Sequence, residues 1–356
     1  MSNNIERIKG VLDQHGLDAM LVTGMSTRRY ASGFPSSAGA LIVTKTDAYF
    51  FVDGRYIEAA TNKITGAGVE LITQQEGYEA KLSRVIADHG LKTIGIEEET
   101  MTYGQFMRFD KALSAELVPA QKLIVQLRQS KTEEELEKMI TVQRIAEKAL
   151  EEVLGLIKPG ITEREIATEL TARMRNHGAY GNSFDPIVVT GVNSSMPHGV
   201  PGDTKVKEGD FITMDFGAML DGYVSDMTRT VAVGYATDEM KKVYNTVLEA
   251  QLAGIAVAKA GVPGCEIHNA AAKVIADAGY GEYFTHGFGH SLGMDVHEAP
   301  NANPANPDPM PVGAVVSAEP GIYLPGRFGV RIEDVIYLRE NDCVNITKAP
   351  KELIIL

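Results

Sequence analysis

The sequence predicts two domains: an α/β domain over residues 1–127 and an α+β domain over residues 128–356 built from two related halves. Three observations predict this. Residues 1 to about 125 alternate helical and strand patterns. Leu127-Arg-Gln-Ser-Lys-Thr-Glu-Glu-Glu then carries a capped-helix signal, with Ser130 or Thr132 ahead of an acidic first turn. Finally, Lys158-Pro-Gly-Ile-Thr-Glu-Arg-Glu-Ile is echoed 101 residues later by Lys259-Ala-Gly-Val-Pro-Gly-Cys-Glu-Ile.

In the first domain, Ile5–His15 is amphipathic and ends at Gly16, so it is expected as one helix. Ala19-Met-Leu-Val-Thr, Ala40-Leu-Ile-Val-Thr and Ala48-Tyr-Phe-Phe-Val-Asp read as short buried strands, and Thr93-Ile-Gly-Ile-Glu as a fourth. Arg55–Thr61, Tyr78–His89 and Tyr103–Leu113 read as helices. No phosphate-binding glycine fingerprint occurs here. In the second domain a long helix is expected from Glu133 to about Ile157, ended by Lys158-Pro159-Gly160. In each copy of the echo a helix precedes the shared segment and another follows it. The following helices end at Gly178 and Gly279, again 101 residues apart. Each copy then continues into a histidine-bearing segment and a hairpin carrying two carboxylates. Two helix–helix–hairpin units related by a pseudo-twofold, with their hairpins meeting, follow from that order.

Those carboxylates form mirror pairs. Asp215 and Asp226 flank Leu220-Asp221-Gly222, and Glu319 and Glu333 flank Pro325-Gly326-Arg327. Residues equidistant from a hairpin turn face each other with side chains about 5 Å apart. Like charges placed so on a half-buried sheet repel, and a cation or a shared proton is needed to hold them. Five of the eight histidines, His198, His268, His286, His290 and His297, lie in the second half of this domain or close before it. His268 is read, with His15, His89 and His177, as a structural or surface residue. The densest stretch is Thr285-His-Gly-Phe-Gly-His-Ser-Leu-Gly-Met-Asp-Val-His-Glu, where glycines let the backbone approach a ligand closely. Two Asp, two Glu and a His make a hard, oxygen-rich donor set, suited to paired divalent ions such as Mn²⁺, Co²⁺, Fe²⁺ or Zn²⁺. Four carboxylates balance two dications, and such ions about 3.5–4 Å apart activate water and clamp a tetrahedral intermediate.

Composition limits the partners. The chain is 44% apolar and 23% charged, and 47 acidic against 34 basic residues give a net charge of −13. That acidity argues against nucleic acid or an anionic membrane. Two cysteines without a CxxC spacing point to a reducing compartment. The first seven residues show no basic stretch leading into an apolar one, and no apolar run reaches about 18 residues. A cytoplasmic protein is expected.

The ordered segments His198-Gly-Val-Pro, Met214-Asp-Phe-Gly-Ala, Ser225-Asp-Met-Thr-Arg-Thr, His286-Gly-Phe-Gly-His-Ser-Leu-Gly-Met-Asp-Val-His-Glu, Ser317-Ala-Glu-Pro-Gly-Ile-Tyr and Val330-Arg-Ile-Glu-Asp resemble the "pita-bread" metallopeptidases. Within these the chain is similar to the Xaa-Pro peptidases, prolidase and aminopeptidase P, over its whole length, including a creatinase-like N-terminal domain. The resemblance implies that Asp226, His290 and Glu319 bind one metal, that Asp215 binds the other, and that Glu333 and Asp226 bridge them. It further implies that Glu319 shuttles a proton, that His297 binds the scissile carbonyl, and that His198 contacts the substrate near the leaving proline. His286 would line the pocket, and Arg331 would orient a carboxylate of protein or substrate. Mn²⁺ is the favoured ion, and a homodimer is expected. The implied activity is hydrolysis of Xaa-Pro dipeptides. Aminopeptidase P action on longer peptides is the alternative, and a metal-free binding homologue ranks below both. Methionine aminopeptidases resemble only the last domain.

Overall fold

The computed structural model describes residues 4–356. The chain divides into two compact units, Met1–Arg128 and Gln129–Leu356.

The first unit is a mixed six-stranded sheet of β1 (Ala19–Val22), β2 (Ala40–Thr44), β3 (Ala48–Val52), β4 (Gly68–Leu71), β5 (Thr93–Ile96) and β6 (Glu116–Pro119), in the order β4-β3-β2-β1-β5-β6. β1, β2 and β3 pair antiparallel, and the outer pairs are parallel. Its central strands are buried on both faces, which is why they read as unbroken apolar runs. The edge strands β4 and β6 escaped the sequence reading. They are half-exposed and carry Gly68 and Pro119, residues an edge tolerates and a central strand does not. Helices α1 (Ile5–Lys9), α2 (Met25–Ser32), α3 (Ile57–Lys63), α4 (Tyr78–His89) and α5 (Tyr103–Ala112) surround the strands in sequence. The expected single helix over Ile5–His15 is instead α1 followed by a 3-10 turn at Asp13–His15. Gly10 interrupts it, because a glycine this early weakens a short helix more than its few core contacts restore.

After α6 (Gln121–Gln129), the second unit runs through α7 (Glu133–Leu154) and α8 (Glu163–Asn176). Thr132, rather than Ser130, caps α7 in a reciprocal capping box with Glu135, and Thr162 does the same for α8 with Glu165. The first half continues with β7 (Gly181–Asn182), β8 (Ile187–Thr190), β9 (Phe211–Phe216), β10 (Ala218–Leu220), β11 (Tyr223–Val224) and β12 (Met227–Ala232). The second half repeats the order: α9 (Asp238–Val257), α10 (Gly264–Asp277), β13 (Gly289–Ser291), β14 (Glu298–Ala302), β15 (Val315–Ala318), β16 (Gly321–Leu324), β17 (Phe328–Arg331), β18 (Asp334–Leu338) and β19 (Cys343–Asn345). Helices α8 and α10 start and end 101 residues apart, as the echo requires. Each pair of helices lies on its own sheet, β12-β9-β8 in the first half and β14-β13-β15-β18-β19 in the second. Two apolar cores result, one under α7 and α8 and one under α9 and α10.

Candidate metal centre

The two hairpins deliver the carboxylates, but by different registers. In the second hairpin Gly321 faces Arg331 on one side of the ligand level and Ala318 faces Asp334 on the other. Both pairings mirror about Gly326, so Glu319 and Glu333 stand opposite each other as expected. In the first, Leu220 faces Tyr223 and Asp215 faces Thr228. The expected pairing of Asp215 with Asp226 is therefore two residues out. Asp221 and Gly222 both have positive φ (51° and 87°), which makes a two-residue turn whose mirror lies between them. A slip of two keeps every side chain on its face, so Asp226 remains a diagonal neighbour of Asp215. The Asp-Gly dipeptide itself carried the signal for this register.

Close backbone approaches bring the ligand level together. A Cβ on Gly217 would lie 1.9 Å from the Ser225 carbonyl oxygen, and one on Gly289 would lie 1.9 Å from that of Ser317. Only glycine fits either place, next to Asp226 in one half and His290 in the other. The hairpins then meet side by side. Thr228 Oγ1 donates to Glu333 Oε2 at 2.7 Å, and Glu333 N donates to Thr228 O at 3.1 Å.

The resulting cluster is largely buried. Ligand atoms of Asp226, His290 and Glu333 lie within 4.8 Å of one another. His290 Nε2 is 3.3 Å from Glu319 Oε1 and 3.7 Å from Asp226 Oδ2. Its orientation is set by Nδ1, 3.2 Å from the Ser291 carbonyl. Ser317 Oγ donates to Glu319 Oε1 at 2.9 Å while accepting from His290 N. Asp215 joins from its own side, with Arg331 Nη2 at 2.6 Å from Oδ2. Burial, then the negative charge of Asp215, pushes the Asp226 carboxyl well up. Burial, then the charges of Asp226, Glu319 and Asp215, does the same to Glu333. Asp215 is raised by burial against the pull of Arg331. Burial works against the charge on Glu319 as well, but the His290 hydrogen bond outweighs it and holds that carboxyl at about 2. Burial likewise disfavours the His290 cation, yet Glu319 and Asp226 lift it to about 9. Four acids thus converge, with the His290 imidazole and the Arg331 guanidinium as the positive groups that act on Asp215, Asp226 and Glu319.

Asp215 Oδ1, Asp226 Oδ1 and Glu333 Oε1 are buried with no hydrogen-bond partner among the described residues. Buried carboxylate oxygens left so cost stability unless a cation meets them. Orphaned oxygens on Asp226 and Glu333 beside the His290 imidazole, with a third on Asp215, fit divalent ions of the harder kind.

Around this cluster stand the remaining predicted residues. Arg331 is buried and spends its donors on protein groups: Asp215, the Tyr323 hydroxyl at 2.8 Å, Pro197 O at 3.2 Å and Thr228 Oγ1 at 3.2 Å. His286 lies on the far side of Tyr323, with Nε2 at 2.9 Å from that hydroxyl and Nδ1 at 2.8 Å from Gly287 O. A guanidinium only donates and a carbonyl only accepts, so the Tyr323 proton points at His286 Nε2. Burial lowers the His286 pKa and keeps the ring a neutral acceptor. The His297 ring meets that of His290 edge-on at 4.3 Å and is largely exposed on its other side. Burial, followed by the charge of His290, lowers its pKa. His198 is exposed and close enough to disfavour a cation on both His286 and His297. Its loop is anchored at both ends by Glu163, which accepts from Thr190 N, Asn193 Nδ2 and Gly202 N at 2.8–3.0 Å. Sequence reasoning missed Glu163, Thr228, Ser317 and Tyr323, since each acts through a partner distant in the chain.

The sequence of residues 137–340 matches the model of metallopeptidase family M24, and residues 4–130 match the creatinase/prolidase N-terminal domain. The chain belongs to metallopeptidase family M24, and it is a two-domain, pita-bread enzyme of the prolidase and aminopeptidase P group. It is 42% identical to an uncharacterized peptidase of Bacillus subtilis over 99% of both chains. A solved Xaa-Pro dipeptidase from Bacillus anthracis superposes with a TM-score of 0.95 at 40% identity, covering 99% of both chains. A solved X-Pro aminopeptidase from Thermotoga maritima gives 0.93 at 35% identity, covering 98% of this chain and 100% of that one.

Proposed function

We propose that the chain hydrolyses the bond before proline in Xaa-Pro dipeptides, using two divalent ions held by Asp215, Asp226, His290, Glu319 and Glu333. The observation that carries this reading is the pair of orphaned oxygens on Asp226 and Glu333 grouped with His290, with a third on Asp215, in a chain similar to an Xaa-Pro dipeptidase over its whole length. When bound, the ions supply Lewis acidity, lowering the pKa of water and polarising a carbonyl. The protein's own groups do the rest. Glu319, ionised well below neutrality, accepts the proton of the attacking water and returns it to the proline nitrogen as the bond breaks. That return matters because a tertiary amide has no N–H of its own and leaves poorly as an anion. His297, neutral and open on one face, donates to the scissile carbonyl oxygen. His198, on the loop tied down by Glu163, contacts the substrate on the proline side, and His286 lines the pocket behind Tyr323. Arg331 aligns Asp215 and closes the cluster from below.

Mn²⁺ is the ion we assign, and a homodimer is the assembly. Residues 128–356 carry the chemistry, and residues 1–127 restrict substrate length. Two cysteines that form no disulfide support a reducing, cytoplasmic setting. A second reading, release of the N-terminal residue from longer Xaa-Pro peptides, is favoured by the likeness to the Thermotoga maritima X-Pro aminopeptidase. Release assays with added Mn²⁺ separate the two. Cleavage of Xaa-Pro dipeptides without Xaa-Pro-Yaa tripeptides supports the first reading, and efficient tripeptide cleavage replaces it with the second. Absence of tight divalent-ion binding by the purified protein would remove both.

A further inference from the structure

The second hairpin is broken where its ligands sit. β15 ends at Ala318 and β16 begins at Gly321, while β17 ends at Arg331 and β18 begins at Asp334. Between the two ladders, Glu319 and Glu333 lack cross-strand backbone bonds to each other: Glu319 N goes to Phe288 O and Glu333 N to Thr228 O. The carbonyls just before them, Ala318 O and Ile332 O, are instead taken by one side chain. Gln251 Nε2 donates to both, at 3.1 and 3.3 Å. We infer that Gln251 is a positioning residue for the metal centre, an amide staple that closes the gap in the ladder and sets the spacing of Glu319 and Glu333.

Its surroundings bear this out chemically. Gln251 is fully buried on α9, one turn from Val247 on the stripe that packs the core. A polar side chain on such a stripe is the informative exception. Its amide has a single orientation, because Lys351 Nζ, which only donates, sits 3.1 Å from Oε1. Lys351 also reaches Asp334, the neighbour of Glu333, which is fully buried and bound to Arg229 Nη2 at 2.8 Å. Arg229 donates in turn to Glu333 O at 2.6 Å and to Ala349 O and Pro350 O at 2.7 Å each. One turn beyond Gln251, a Cβ on Gly254 would strike the Phe288 ring at 2.3 Å. Phe288 is the residue whose carbonyl receives Glu319 N. Helix α9 therefore grips both arms of the second hairpin from behind, and residues 349–351 lock that grip.

The inference rests on the metal reading for its consequence, though not for its structural part, so two measurements test it. Gln251→Leu removes both donors, and Val247→Ala serves as a core control on the same helix. In metal-free protein, hydrogen exchange of peptides spanning 318–321 and 331–334 is expected to accelerate in Gln251→Leu and to stay at the wild-type rate in Val247→Ala. In Mn²⁺ titrations by calorimetry, Gln251→Leu is expected to bind about tenfold or more weakly, as loss of outer partners of metal ligands generally does. Val247→Ala keeps wild-type affinity even where its melting temperature falls as far. Exchange and affinity that change no more in Gln251→Leu than in Val247→Ala overturn the inference. If Gln251→Leu does not fold, Lys351→Met frees the amide to turn. Faster exchange in the same two peptides supports the staple, and an unchanged rate overturns it. A wild-type chain that binds no Mn²⁺ defeats the metal reading alone and leaves the exchange result to decide the staple.

Discussion

The two hairpins solve the same problem in opposite ways. The first also breaks at its ligand level, between Phe216 and Ala218 on one arm and between Val224 and Met227 on the other, but its own Ser225 closes the gap: Ser225 N donates to Ala218 O at 2.9 Å and Ser225 Oγ accepts from Ala218 N at 2.9 Å. It keeps one register up to a tight Asp221–Gly222 turn and sets its two aspartates diagonally across the strands. Thr228 takes the place opposite Asp215 and turns its hydroxyl to Glu333. The second hairpin places its glutamates face to face and gives up its backbone bonds at that level. It is held there from outside, by Phe288, Thr228 and Gln251. A gap closed by the hairpin's own residues needs no helper, whereas one left open depends on side chains recruited from elsewhere. This difference predicts where each half is fragile.

The largest effects should come from ligands that link the hairpins. Asp226→Asn or Glu333→Gln removes one charge from a shared cluster, and Mn²⁺ affinity is expected to fall by more than about a hundredfold, beyond the loss typical of outer partners. Isothermal titration and Xaa-Pro turnover at saturating Mn²⁺ check this, and unchanged turnover in either variant would refute the shared role. Next comes Arg331, which joins Asp215 of the first hairpin to Thr228 and Tyr323. Arg331→Lys keeps the charge but not the fork, and about 10–100-fold lower kcat/KM is expected. A variant within twofold of wild type would mean that Asp215 is held by its strand alone.

A pH series compares the cluster with and without ions. The Asp226 and Glu333 carboxyls are raised in the fold, so the metal-free fold binds protons that the unfolded chain has released, and its stability falls as pH rises. His290 acts in the same direction. Its contribution is complete below the unfolded imidazole range and is lost as pH passes about 9. Glu319 opposes this only in acid, since its contribution fades as pH drops toward about 2. From about pH 5 to about pH 9 the melting temperature in chelator should therefore decline, and the gap to the Mn²⁺-loaded protein should widen. A constant gap across that range would show that the four acids do not carry the repulsion assigned to them.

The smallest effect belongs to the turns. Gly222 and Gly326 have φ of 87° and 71°. Alanine at either costs about 1 kcal/mol in denaturant melts, because a left-handed φ strains any side chain. Gly222→Ala should leave Mn²⁺ affinity closer to wild type, since Ser225 holds the ligand level of the first hairpin from within it. Weaker affinity in Gly222→Ala than in Gly326→Ala would reverse the comparison.

What could be read from the chain alone was whatever repeats locally. The echo at 101 residues anticipated the two helix–helix–sheet halves, the Glu319/Glu333 mirror anticipated the second register, and Thr132 or Ser130 anticipated the cap of α7. The first register was also present, in Asp221-Gly222, but symmetry between the aspartates was the wrong guide to it. The donor inventory was equally local, since a hard ligand set is a matter of residue type. Only the tertiary structure decided which oxygens are left without partners, that Thr228 and not Asp226 faces Asp215, and that Gln251 reaches across 67 and 81 residues to two carbonyls. Strand and helix periods follow from each residue's own backbone and neighbours. The partner of a buried side chain follows from how whole elements cross, and nothing near it in sequence records that crossing.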